Sequence, residues 1–380
     1  MDGMPAARSG VRPRPRALLT GCAVAVACAL TVTACGGSDD GTPDVPTVTP
    51  ASAVAAPEAA TATPLGTVIT AATGTAIAAT HGRFYVLSDD GTTVLRFDRT
   101  GVTGPGTPSA RITTPALTTL IAAADGTLIG AGPDVLVRIG TDNAVSPTTR
   151  TGVADPTVIA HTADGRVLVG TASGSVVVFG KDLARMRTIT GFVRVDGLTV
   201  SPPGADLDDE QVVVLDRAQS SVTPIDIGDG SKGAALRSGN GATTSTVDSY
   251  GRVLVANTRD GEILGFFGKP IINRFRYPVP GSPYGLAWDH KRGLLWVSAT
   301  AINELIGYDL ADGEPAERYR APTVLQPDNL GVDESTGTIY VLSARSGGVQ
   351  IIDPTLALPT AAPTTPRTVS PGTTTTEAPR

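Results

Sequence analysis

The chain has 380 residues, a formal net charge of −6, and only 4% aromatic and 17% charged residues. An acidic chain with no basic run excludes a surface built for a phosphate backbone, so no nucleic-acid partner is expected. Its cysteines, Cys22, Cys28 and Cys35, all lie near the start and offer no disulfide framework, so the core must hold together without one.

In chain order, residues 1–34 read as a secretory signal peptide. Arg8, Arg12, Arg14 and Arg16 form a basic start, and Ala17 to Val32 an apolar run. That run is short for a spanning helix, which needs ~20 apolar residues, and it ends at small residues without a basic flank. Val32-Thr33-Ala34-Cys35, followed by Gly36, resembles the lipobox of bacterial lipoproteins. The resemblance implies a diacylglycerol on the Cys35 sulfur, cleavage before that residue and a place on the outer face of the cell membrane. Acylation would also consume the one cysteine left after cleavage. Two or more acyl chains hold a protein stably at a bilayer, where one holds it marginally.

Residues 36–62 are rich in Gly, Asp, Pro, Thr, Ala and Ser and show no apolar period, so 35–62 reads as a lipidated Cys35 and a flexible tether. Residues 354–380 have the same character and read as a disordered Pro/Thr-rich tail.

Between them a unit recurs: an apolar strand, a polar turn ending in Gly, a second strongly apolar strand, a turn and a third strand. The second strands begin at Arg83, Thr127, Arg166, Gln211, Arg252, Leu294 and Thr338, at spacings of 44, 39, 45, 41, 42 and 44 residues. A period of this length built from short Val/Ile/Thr-rich runs marks the blades of a propeller; helical repeats of similar length fail for want of any amphipathic helical window. The fold class expected is all-β, a seven-bladed β-propeller over residues 63–353. The last unit stops at Asp353 after its third strand, and an orphan strand, Gly66-Thr67-Val68-Ile69-Thr70, precedes the first unit. The N-terminal strand is therefore expected to close the last blade, removing an open sheet edge.

Tyr85-Val86 with Val94 to Asp98, Tyr340-Val341 with Val349 to Asp353, and Pro283 to Asp289 look like strands of the YVTN and NHL repeat propellers. With the lipobox, the chain resembles a propeller lipoprotein of actinobacterial type. The resemblance implies a fold and leaves function open, because this superfold hosts enzymes, scaffolds and ligand binders.

The histidines, His81, His161 and His290, fall at turns between first and second strands of separate blades, which disfavours a joint metal site. The acidic insertion with Asp206, Asp208, Asp209 and Glu210 departs from the repeat, yet Asp-rich turns before Gly ordinarily serve as turns. The other end of the ring gathers the turns between second and third strands and the segments leading into first strands. There lie Arg217, Asn257, Arg259, Asn303 and Arg345, with Asp155, Asp196, Tyr284, Asp328 and Asn329 where first strands begin. Arg forks beside carboxylates suit a polar or anionic ligand in a concave funnel.

No nucleophile elbow, Walker loop, His-Glu-x-x-His or Cys-x-x-Cys occurs. The reading favoured is a monomeric, membrane-anchored binding or interaction module for a protein, glycan or small polar ligand, with an envelope protein or glycan as partner and no resident cofactor. The alternative is a metal-dependent lactonase-like hydrolase. Asn257, Asn303 and Asp328 resemble part of the axial divalent-metal set of gluconolactonase-like propellers, but the early Glu of that set is missing.

Overall fold

The computed structural model describes residues 46–56, 62–99 and 106–353, and all its regular secondary structure is strand. The signal peptide, Cys35 and the 354–380 tail lie outside the described residues.

The strands begin with β1 (Thr67–Ile69) and then fall into the seven expected units. Blade 1 is β2 (Ala76–Thr80), β3 (Arg83–Leu87), β4 (Thr93–Asp98) and β5 (Ala110–Thr113). Blade 2 is β6 (Thr119–Ala122), β7 (Leu128–Gly132) and β8 (Val135–Ile139). Blade 3 is β9 (Pro156–His161), β10 (Val167–Thr171), β11 (Val176–Phe179) and β12 (Arg185–Ile189). Blade 4 is β13 (Gly197–Val200), β14 (Val212–Asp216), β15 (Ser221–Ile225) and the two-residue β16 (Leu236–Arg237). Blade 5 is β17 (Ala242–Val247), β18 (Val253–Asn257), β19 (Glu262–Phe267) and β20 (Ile272–Pro278). Blade 6 is β21 (Pro283–Asp289), β22 (Leu294–Ala299), β23 (Glu304–Asp309) and β24 (Ala316–Pro322). Blade 7 is β25 (Pro327–Val332), β26 (Ile339–Ser343) and β27 (Val349–Ile352), completed on its outer edge by β1.

Every pairing is antiparallel, and the first strands of successive blades touch all the way round, β25 meeting β2. The closure follows the sequence expectation: Thr67 pairs with Ile351, and Ile69 with Val349. Blade 2 departs from the four-strand plan. Where its outer strand would run, Val145 and Thr149 make only isolated bridges to Ile139 and Leu136. Pro147 sits between them, and a residue without an amide hydrogen interrupts a ladder.

The core is distributed around the ring. Strand alternation sends successive side chains of one strand to opposite neighbours. In β18, Val253 and Val255 pack against blade 4, while Leu254 packs against blade 6. One apolar cluster fills each of the seven junctions. At the closing junction Phe84 stacks on Phe97 at 4.7 Å and meets Tyr340 at 4.9 Å, with Ile69 of β1 in the same cluster. Glycines in third strands make room for aromatics. The Trp296 ring lies where a Cβ on Gly307 would stand, and the Phe275 ring does the same over Gly265. β20 packs one face, with Phe275 and Tyr277 against the core and Arg276 between them outward to Glu262.

Candidate functional site

The end of the ring that carries the turns between first and second strands, the lower end, is spent on structure. Asp248 accepts from the amides of Tyr250 and Arg252 at 2.9 and 2.8 Å and pairs with the Arg252 guanidinium. Asp289 does the same for Lys291 and Arg292 and also accepts from the Trp296 indole at 3.1 Å. Asp333 reaches from blade 7 to the Gly82 amide of blade 1 at 2.5 Å. His81 bonds Thr80, and His290 bonds Ser249 and lies 3.4 Å from Glu334. The acidic insertion spreads between neighbours: Glu210 accepts from the Ala163 amide at 2.7 Å, and Asp209 pairs with Lys269 at 3.1 Å. Among the described residues no group of three or more His, Cys, Asp or Glu is arranged to hold a metal ion.

The opposite, upper end has a different organisation. Around its axis, at the starts of the first strands, stand Asp196 of blade 4, Tyr284 of blade 6 and Asp328 of blade 7. Arg217 joins them from the turn between β14 and β15. Asp196 grips the Arg194 guanidinium through both oxygens, at 2.8 to 3.1 Å, and accepts from the Arg217 amide at 3.0 Å. Burial pushes the Tyr284 phenol up from its ordinary pKa; the bonded Arg217 guanidinium opposes the rise, and the carboxylates of Asp328 and Asp196 add to it. Burial also raises the Asp328 carboxyl, against a hydrogen bond of 2.8 Å from the Gln326 amide group. Asp216, fully buried below the cluster, is raised by burial as well, although the amides of Val193, Arg194 and Gln219 all donate to it. Threonine hydroxyls tie the rim together, with Thr118 donating to the Pro156 carbonyl at 3.0 Å and Thr157 to that of Val195.

Across blades 4 to 7 of this end lies an extended stretch of chain, residues 46–56. It belongs to the expected tether, but here it is seated against the ring. Val48 donates its amide to the Ala218 carbonyl at 2.6 Å. Arg259 donates to the carbonyl of Thr49 at 2.6 Å, Arg217 to that of Ala51, and Arg345 to that of Ala56 at 3.1 Å. The Gln326 carboxamide accepts from the Ala56 amide at 2.7 Å and donates to the Val54 carbonyl at 3.2 Å. The Val54 amide reaches the Ser282 hydroxyl at 3.4 Å.

The sequence-predicted residues thus differ in what they touch. Arg217, Arg259 and Arg345 hold the 46–56 stretch, and Arg217, Asp196 and Asp328 all act on Tyr284. Asp155 accepts from the Ser173 hydroxyl at 3.3 Å and contributes to the field at Arg194, while Asn329 is exposed on β25. Asn257 and Asn303 face inward as struts. Asn257 accepts from the Gly241 amide at 2.9 Å and donates to Asp260 and Glu262 at 2.7 and 2.6 Å. Asn303 accepts from the Gln326 amide at 2.9 Å. Of the Asn257, Asn303 and Asp328 set, Asn257 is committed to blade 5 partners, while Asn303 and Asp328 both bond Gln326. Sequence reasoning passed over Ser282 and Gln326. Both adopt left-handed backbone, φ 64° and 52°, which non-glycine residues rarely do and which clusters at ligand clamps. Their one sequence signal is position, immediately before Pro283 and Pro327 at the starts of β21 and β25.

Seven small antiparallel sheets in a closed ring, with polar loops converging on one end, define a seven-bladed β-propeller. No protein-family model and no curated protein matches the chain. Among solved structures the chain is similar to Kuenenia stuttgartiensis hydrazine synthase, at 14% identity and TM-score 0.62, over 79% of this chain and 100% of that one. It is similar to a chain of the mitotic checkpoint complex at 12% identity and TM-score 0.65, over 80% and 98%. It is also similar to virginiamycin B lyase from Staphylococcus aureus at 11% identity and TM-score 0.57, over 75% and 96%. At these identities the likeness is one of fold alone.

Proposed function

We propose that the chain is a membrane-anchored, extracytoplasmic propeller lipoprotein of the YVTN/NHL-repeat type, and that its upper end is a binding face for a protein, glycan or small polar ligand. The observation that carries the binding reading is the convergence at the axis. Arg217 and Asp196 of blade 4 and Asp328 of blade 7 all act on the partly buried Tyr284 phenol of blade 6, so groups from three blades bear on one point. Groups of mixed charge brought together by distant parts of the chain are what a polar ligand needs for orientation. The lower end, by contrast, uses its carboxylates to finish its own turns. The anchoring reading is supported by the apolar run and the Val32–Cys35 motif directly after it.

Two experiments test this. Palmitate labelling in cells should mark the wild-type chain and not Cys35→Ala, and the variant should leave the membrane fraction; labelling of both, or of neither, overturns the anchor. A photo-crosslinking residue at Arg345 or Asp155 should give a discrete adduct in cells that the same residue at His161, on the lower end, does not. Equal adducts from both ends, or none from the upper end, overturn the binding face.

A further inference from the structure

Every polar contact that seats residues 46–56 is made to the main chain of that stretch. Three arginines, a glutamine, a serine and the Ala218 carbonyl engage its amides and carbonyls at Val48, Thr49, Ala51, Val54 and Ala56. None of its side chains takes part in these bonds. Of its side chains only Ala51 and Ala56 are buried, each 5% exposed, and Val54 stands 50% exposed. The wall facing Ala51 is Gly241, where an added Cβ would lie 3.1 Å from that of Ala51 and 2.4 Å from that of Arg259. The seat therefore reads an extended backbone with small residues at two positions five apart, and it tolerates most other sequence. Gln326 supplies a donor and an acceptor from one planar group, as a neighbouring β-strand would.

We propose that the upper end of the ring is a receptor for an extended polypeptide segment with small side chains, and that residues 46–56 are a built-in competitor occupying it. This rests on the reading of that end as a binding face and names the class of its ligand. A tethered segment acts at an effective concentration in the mM range for a short linker, so an incoming peptide must displace it. Displacement is within reach, because the stretch buries two alanine side chains and pairs with no strand. Its release would also free the Arg217 guanidinium beside Tyr284, coupling occupancy of the seat to the axial cluster.

The test uses the full-length chain with residues 47–56 replaced by a Gly/Ser sequence of equal length, and a fluorescent synthetic peptide of residues 46–56. Anisotropy should show saturable binding to the replaced chain and at least tenfold weaker binding to wild type. Adding Gln326→Ala to the replaced chain removes two hydrogen bonds to the peptide and should weaken binding about tenfold. A peptide carrying Ala51→Leu and Ala56→Leu should fail to bind. Circular dichroism and melting curves establish that each chain is folded. A folded replaced chain that ignores the peptide, or binds it regardless of Gln326→Ala, overturns the proposal. If crosslinks from Arg345 persist in that case, the binding face survives and only its ligand class is wrong; if they vanish too, both readings fall.

Discussion

Gln326 holds Ala56 across 270 positions of sequence, its carboxamide oxygen 2.7 Å from the alanine amide. The same side chain donates to Asp328 at 2.8 Å, so the seat of the N-terminal stretch and the axial carboxylate share one group. Hydrogen exchange should report this directly. The amides of Val48 and Ala56, both bonded to the ring, should exchange markedly more slowly than those of Ser52, Ala53 and Ala55, which make none of these bonds. Uniformly fast exchange over residues 46–56 would show that the stretch does not sit as described.

Ring closure rests on a three-residue strand, and its anchor is Ile69, fully buried beside Phe84 and Tyr340. Ile69→Ala should cost about 2–5 kcal/mol in denaturant unfolding, the usual range for emptying such a site. Deleting residues 65–71 should lower the melting temperature far more, because it re-exposes the edge of β27. An unchanged melt in either variant contradicts the closure.

Gly307 on β23 carries the face of Trp296, with a hypothetical Cβ only 2.5 Å from the nearest ring atom. Gly307→Ala should destabilise by about 1–3 kcal/mol through overpacking and shift the indole emission spectrum. The same change at Gly313, where a Cβ meets nothing within 4 Å, lacks this clash and is limited to the strain of its left-handed backbone, φ 87°.

Asp333 ties blade 7 to blade 1. Burial pushes its carboxyl up, but the Ser335 hydroxyl, the Gly82 and Ser335 amides and Thr336 together outweigh it and hold the pKa below the ordinary 3.8. A folded-state pKa below the unfolded one adds stability that is present above the unfolded value and is lost as pH falls through the folded one. Asp333→Asn should therefore cost about 1.5–3 kcal/mol at pH 7, as expected for hydrogen bonds to a charged group. The gap between variant and wild type should narrow as unfolding curves are taken below pH 3.8. A gap that widens on acidification refutes the sign.

The inner three strands of each blade were legible because each buries a strand face against a neighbouring sheet, which writes a period into the residues. Outer strands carry little of that pressure. In β12, Arg185 to Thr188 are exposed and only Ile189 is buried, so nothing in the local pattern announces a strand. Polar residues at the upper end were legible as a group and not by role, since Asn257 bracing a turn and Arg217 facing the axis look alike in sequence. Least legible was the seating of residues 46–56. Backbone bonding leaves no mark on composition, so a stretch held by its carbonyls reads the same as one held by nothing.

The order of attachment along the chain has a mechanical consequence. Tension arriving from the N-terminal side meets residues 46–56 before it meets β1. The contacts of that stretch sit in series along an extended length of chain, so they would give way one after another at low force. The antiparallel pair of β1 and β27 comes next, and only its rupture would open the ring. The stretch thus stands as a sacrificial link ahead of the clasp that keeps the propeller circular.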